Sequence, residues 1–158
     1  MYLSITTEDD NTIALSCRPG GVVLTNETNG GDDDLCAGFS PDGIIVRNDG
    51  SFEANVSVNM SDYGEIHGGS FLDATTNNSW VAFKIANTTA HENYTGGCYG
   101  FIQSSWVNVT SNALMTACDR LAFGPDNSFT FDMAFFIPTN TTRGDNNLTI
   151  SFWASLTS

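Results

Sequence analysis

The chain has 158 residues and a net charge of −13, and its five basic residues (Arg18, Arg47, Lys84, Arg120 and Arg143) are scattered, which excludes the clustered cationic face that nucleic acid or an anionic membrane needs. Apolar residues make up 41% and aromatics 11%, enough for one domain with a sizeable core and too much for a disordered chain. Abundant Thr, Ser, Asn and Gly beside a single lysine disfavour a helical protein and point to an all-β fold with long polar loops.

In chain order, Tyr2 to Thr6 alternates Leu3 and Ile5 with polar neighbours and reads as a short strand. The charged run Glu8-Asp9-Asp10-Asn11 then sets it apart, so residues 1–11 form an N-terminal strand and linker and residues 12–158 a single domain. Thr12 to Cys17 and Gly21 to Thr25 are the next strands, joined by the turn Arg18-Pro19-Gly20 and followed by an acidic, Gly-rich loop from Asn26 to Asp34.

After Leu35 to Phe39 comes a stretch with a strong pattern, IIVRNDGSFEANVSVNMS. Ile44 to Val46 and Phe52 to Met60 read as two strands of a hairpin turning at Asn48-Asp49-Gly50. Phe52, Ala54, Val56, Val58 and Met60 share one face at period two, and Asn55, Ser57 and Asn59 share the other.

Residues 61–79 are a turn-rich excursion holding His67. Trp80 to Ile85 is a strand with Val81, Phe83 and Ile85 on one face, and residues 87–97 are a loop holding His91. Tyr99 to Thr110 reads as one strand, and residues 111–124 contain the only plausible helical turn. Ser128 to Ile137 points Phe129, Phe131, Met133, Phe135 and Ile137 inward. Asn147 to Ala154 does the same with Leu148, Ile150, Phe152 and Ala154, leaving Trp153 outside. About eight or nine strands without βαβ alternation indicate a β-sandwich, Ig-like or jelly-roll in topology.

Four cysteines, Cys17, Cys36, Cys98 and Cys118, form an even set without a C-x-x-C pair, which favours disulfides over zinc. Three connectivities are possible. Pairing Cys17 with Cys36 and Cys98 with Cys118 is favoured, each closing a loop of about twenty residues at roughly 3 kcal/mol by loop entropy. Nine N-x-[ST] acceptors occur, at Asn26, Asn55, Asn59, Asn77, Asn87, Asn93, Asn108, Asn140 and Asn147, where composition alone gives about three. Asn55, Asn59, Asn108 and Asn147 all fall on the polar face of their strands, where a glycan needs no rearrangement. Disulfides and sequons together place the protein outside the cell or at its surface. A secreted chain would have lost its signal before Met1, since neither a signal-type apolar segment nor a membrane-spanning run is present, and no membrane insertion is expected.

No catalytic constellation emerges, and the chain reads as non-enzymatic. Gly96-Gly97-Cys98-Tyr99-Gly100 matches a thiol version of the nucleophile elbow, but strand rather than helix follows it, so Cys98 reads as a disulfide partner. His67 and His91 stand in no ligand spacing, and the 18 acids single out no carboxylate pair. No metal or cofactor is assigned beyond N-linked glycans. Asp32-Asp33-Asp34, Asp126-Asn127 and Asp145-Asn146 offer oxygen ligands to calcium without a complete calcium-loop spacing. Trp80, Trp106 and Trp153 on outward faces are candidates for a sugar-stacking platform or a protein interface.

The detached first strand, IIVRNDGSFEANVSV and the C-terminal IPTNTTRGDNNLTISFWA resemble the extracellular β-sandwich fibre proteins of the TasA and camelysin type, including archaeal bundling pilins and thread subunits. The resemblance implies a homopolymer built by donor-strand complementation, in which Met1 to Thr7 of one copy fills a groove in the next with Leu3 and Ile5 as anchors. Four cysteines and dense sequons depart from the bacterial members. The expectation is a glycosylated filament subunit. The rival is a carbohydrate- or receptor-binding module, including a viral surface or capsid jelly roll, and a secreted hydrolase ranks third.

Overall fold

A computed structural model describes residues 3–7, 16–17, 21–24, 36–37, 44–61, 81–86, 95–109, 111–124, 127–137 and 149–157. These residues form strands and no helix: β1 (Leu3–Thr7), β2 (Ser16–Cys17), β3 (Gly21–Leu24), β4 (Cys36–Ala37), β5 (Ile44–Asn48), β6 (Ala54–Ser61), β7 (Val81–Ala86), β8 (Thr95–Gly96), β9 (Cys98–Ile102), β10 (Val107–Asn108), β11 (Met115–Leu121), β12 (Asn127–Ile137) and β13 (Thr149–Leu156). A seven-stranded sheet runs β1-β5-β12-β7-β10, with β3 and β8 also on β12, and a four-stranded sheet runs β13-β6-β11-β9. The short pair β2 and β4 stands apart.

The winding is that of a jelly roll. β5, β6 and β7 pair antiparallel with β12, β11 and β10 respectively, so one long ribbon folds back on itself and wraps across two sheets. β5 and β6 accordingly lie in different sheets. The stretch expected to be a hairpin is an arch that carries the chain from one sheet to the other.

Asn48 locks the arch. Its side chain is fully buried; Nδ2 donates to the carbonyls of Phe52 at 2.8 Å and Leu121 at 3.1 Å, and Oδ1 accepts from the Gly50 amide at 3.0 Å. Its own carbonyl accepts from the Gly124 amide at 3.2 Å. Hairpin turns of the tightest kind need positive φ, which occurs at Gly100 and Gly124 among the described glycines and not at Gly50.

The two sheets meet through residues of alternating parity. From the seven-stranded sheet come Ile44, Val46, Val81, Phe83, Ile85, Phe129, Phe131 and Met133; from the other come Ala54, Val56, Val58, Met60, Leu121 and the half-buried Ile150, Phe152 and Ala154. Phe131 stacks on Phe83 at 5.1 Å and meets Phe152 edge-on at 5.0 Å, so one ring joins both layers. Phe52 does not continue the pattern: it precedes β6 and is 68% exposed.

Three further expectations change. Residues 111–124 hold the strand β11 rather than a helical turn. Ala117 and Cys118 are consecutive yet both buried, because the register with β6 slips between Thr116 and Cys118. Tyr99 to Thr110 divides into β9 and β10 at Gln103, whose carbonyl accepts from the Ile85 amide at 2.7 Å while its amide donates to the Ala117 carbonyl at 3.0 Å. Gln103 thus bridges the sheets. In β12 both parities are covered, with Ser128, Thr130, Asp132 and Ala134 buried beside the inward aromatics; the side chains of Phe135 and Ile137, expected inward, lie outside the described residues.

Candidate assembly strand and surface

β1 lies outside the three antiparallel strand pairs of the jelly-roll winding. It pairs antiparallel with β5, from Leu3 opposite Asn48 to Thr7 opposite Ile44, and among the described residues it pairs with no other strand. Leu3 is half-buried against the core. Ile5, the other expected anchor, stands opposite Val46 in the register. Among the described residues the first strand therefore occupies the edge of its own chain's larger sheet, and no described strand pairs with its outer side.

The cysteines fall as the favoured pairing expects in the half of the chain where side chains are described. Cys98 and Cys118 form a disulfide with a Cα separation of 5.8 Å, and Cys98 is therefore no nucleophile. The bond ties edge strand β9 to β11 inside the core. Cys17 and Cys36 stand directly opposite each other in the β2–β4 pair, a placement within disulfide reach. Gly97 leads into this region where no side chain fits. A Cβ there would lie 2.8 Å from Asn127 Cα and 2.9 Å from Ser128 N, and the Gly97 amide donates to the Ser128 carbonyl at 3.1 Å.

Three of the nine sequon asparagines lie among the described residues. Asn55 and Asn59 project from the outer face of β6, both half-buried. Asn55 Nδ2 donates to Asp119 Oδ1 at 3.3 Å, and Asn59 Oδ1 accepts from the indole N–H of Trp153 at 3.3 Å. Asn108 is exposed on β10. Asn26, Asn77, Asn87, Asn93, Asn140 and Asn147 lie outside the described residues, as do His67, His91, Trp80 and the acidic triplet Asp32-Asp33-Asp34.

Exposed aromatics collect on the four-stranded sheet: Trp153 on β13, and Tyr99 and Phe101 on β9, each at least half exposed. Trp106 behaves differently, since Lys84 Nζ lies over its ring at 4.9 Å from the centroid. Sequence reasoning missed this contact and the ion pair beyond it, Lys84 to Asp132 at 3.9 Å; the signal available was the lone lysine in an apolar strand. Among the described residues no group of three or more His, Cys, Asp or Glu is placed to hold a metal, and no helix is long and apolar enough to cross a membrane. No protein-family model, curated protein or solved structure matches the chain.

Proposed function

We propose that this protein is a structural subunit of a glycosylated extracellular assembly, non-enzymatic, in which β1 of one copy pairs with β5 of the next. The observation that carries the reading is the position of β1: early in the chain and, among the described residues, at a sheet edge, bonded to a single neighbour and outside the jelly-roll winding. Exchange between copies conserves the register bonds that β1 makes within its own chain, so they cost nothing to trade. The balance is left to linker strain, association entropy and new contacts between subunits. The sequon surplus and the Cys98–Cys118 disulfide support an extracellular setting.

Ser4 stands opposite Arg47 in the register, which supplies the test. Single variants Ser4→Cys and Arg47→Cys, mixed and oxidised, are expected to give covalent heterodimers between the two chains. A double variant that closes only within one chain, together with no heterodimer from the mixture and unchanged polymers from a chain lacking residues 1–7, refutes the exchange. The second reading, a carbohydrate-binding module, is favoured by Trp153, Tyr99 and Phe101 exposed on one sheet of a jelly roll, a fold that also hosts lectins. It expects glycan-dependent quenching of tryptophan fluorescence, and a flat response across a glycan panel counts against it.

A further inference from the structure

Lys84, the single lysine of the chain, stands directly opposite Asp132 across the β7–β12 pair. Its Nζ lies 3.9 Å from Asp132 Oδ2, with side-chain exposures of 19% and 1%. The indole of Trp106 flanks the nitrogen at 4.9 Å, and Ala82, Thr130 and Ala134 on the same strands are buried. Cross-strand pairing thus sets an amine and a carboxyl group, the two partners of amide formation, side by side in a site largely shielded from water.

We propose that Lys84 and Asp132 condense into an isopeptide bond that staples β7 to β12. One proton passes from the Lys84 ammonium to the Asp132 carboxylate, the freed Nζ lone pair attacks Asp132 Cγ, and the N–C bond forms. The Cγ–O bond to the hydroxyl breaks, and that oxygen leaves as water with one proton from Nζ. Nothing is oxidised or reduced, and no co-reactant is consumed. Strand pairing holds both Cα atoms in place, so the step is intramolecular and gains the effective molarity of a fixed arrangement. The lysine stem, with four rotatable carbons, swings the nitrogen over Cγ without moving the backbone. β12 also pairs with β3, β5 and β8, so the bond anchors the strand that pairs directly with most of the larger sheet. The proposal is independent of how subunits assemble.

Intact mass spectrometry of the full chain, made without glycans in a bacterial host, reduced and unfolded, tests it. The expected mass is lower than the sequence mass by one water, with the peptide carrying Lys84 joined to the peptide carrying Asp132 and refractory to amine labelling. Asp132→Asn is expected to reach the same final mass as the unsubstituted protein, because the carboxamide nitrogen leaves as ammonia and the product is identical. Lys84→Arg is expected to keep its full sequence mass. Full sequence mass in the unsubstituted folded protein, with Lys84 open to amine labelling, overturns the proposal and leaves a buried ion pair. That measurement decides the matter even if the variants do not fold.

Discussion

Replacing Asn48 by alanine removes three hydrogen bonds from one buried point: two donated by Nδ2, to Phe52 and Leu121, and one accepted by Oδ1 from Gly50. The Leu121 carbonyl is interior and loses this partner without access to water, at about 1–3 kcal/mol; the other two bonds lie nearer solvent at about 0.5–1.5 kcal/mol each. The expected loss is therefore about 2–6 kcal/mol. For a domain of this size each kcal/mol lowers Tm by about 2–4 °C, so a drop of about 8–16 °C corresponds to the middle of that range. Urea unfolding with the Cys98–Cys118 disulfide intact reads the free energy directly, from a shifted midpoint at unchanged slope. Asp49→Ala in the same arch is the control. Asp49 pairs with Arg47 at 2.7 Å in an exposed setting, and such pairs contribute up to about 1 kcal/mol. If Asn48→Ala costs no more than Asp49→Ala, Asn48 is not what holds the arch, and the account of how β5 is passed to the opposite sheet from β6 fails.

Gly97→Ala is expected to lower stability by more than about 1 kcal/mol, because the added Cβ meets the backbone of Asn127 and Ser128 at 2.8–2.9 Å rather than a flexible side chain; thermal unfolding checks it, and an unchanged Tm contradicts the close approach. Cys98→Ser with Cys118→Ser opens a link across 20 residues, and a loss of about 2–5 kcal/mol in urea unfolding is expected. A loss far below that range would mean that β9 is held to β11 by its strand pairing rather than by the bond.

What the sequence made legible was parity, and what it concealed was partnership. In 54–60 the apolar positions Ala54, Val56, Val58 and Met60 are all fully buried, as alternation demands. The same alternation is satisfied whether β5 lies beside β6 or across the core from it. Asn-Asp-Gly chemistry serves either route, and only the distant carbonyl of Leu121, met by Asn48 Nδ2, distinguishes them. β11 was illegible for a related reason: a bulge puts Ala117 and Cys118 inward together, so its apolar spacing imitates a helical turn. β12 misled less, since Phe129, Phe131 and Met133 are inward as read; the burial of Thr130 and Asp132 reflects cover on the second face that one strand's pattern cannot encode. The Lys84–Asp132 pair combines residues 48 positions apart, and only the β7–β12 register brings them together.

The distribution of sequons bears on where copies can meet. Asn55 and Asn59 carry their amides on the outer face of the four-stranded sheet, and Asn59 is held by the Trp153 indole, whose exposed ring would lie beside a sugar attached there. A bulky, hydrated chain on that face keeps another protein surface away from it. None of the nine acceptors falls in β1 or β5, so glycans on all nine would leave those two strands themselves unmodified, whereas glycans on Asn55 and Asn59 would cover the face of β6. Backbone pairing at an edge also asks little of side-chain chemistry, which suits a chain whose net charge of −13 would set two broad faces against each other. The proposed contact through a short strand that carries no acceptor meets both constraints. On the proposed exchange, Leu3→Asp is expected to release β1, because Leu3 is half-buried against the core, and to leave only monomers in size-exclusion chromatography; assemblies of unchanged size would contradict it.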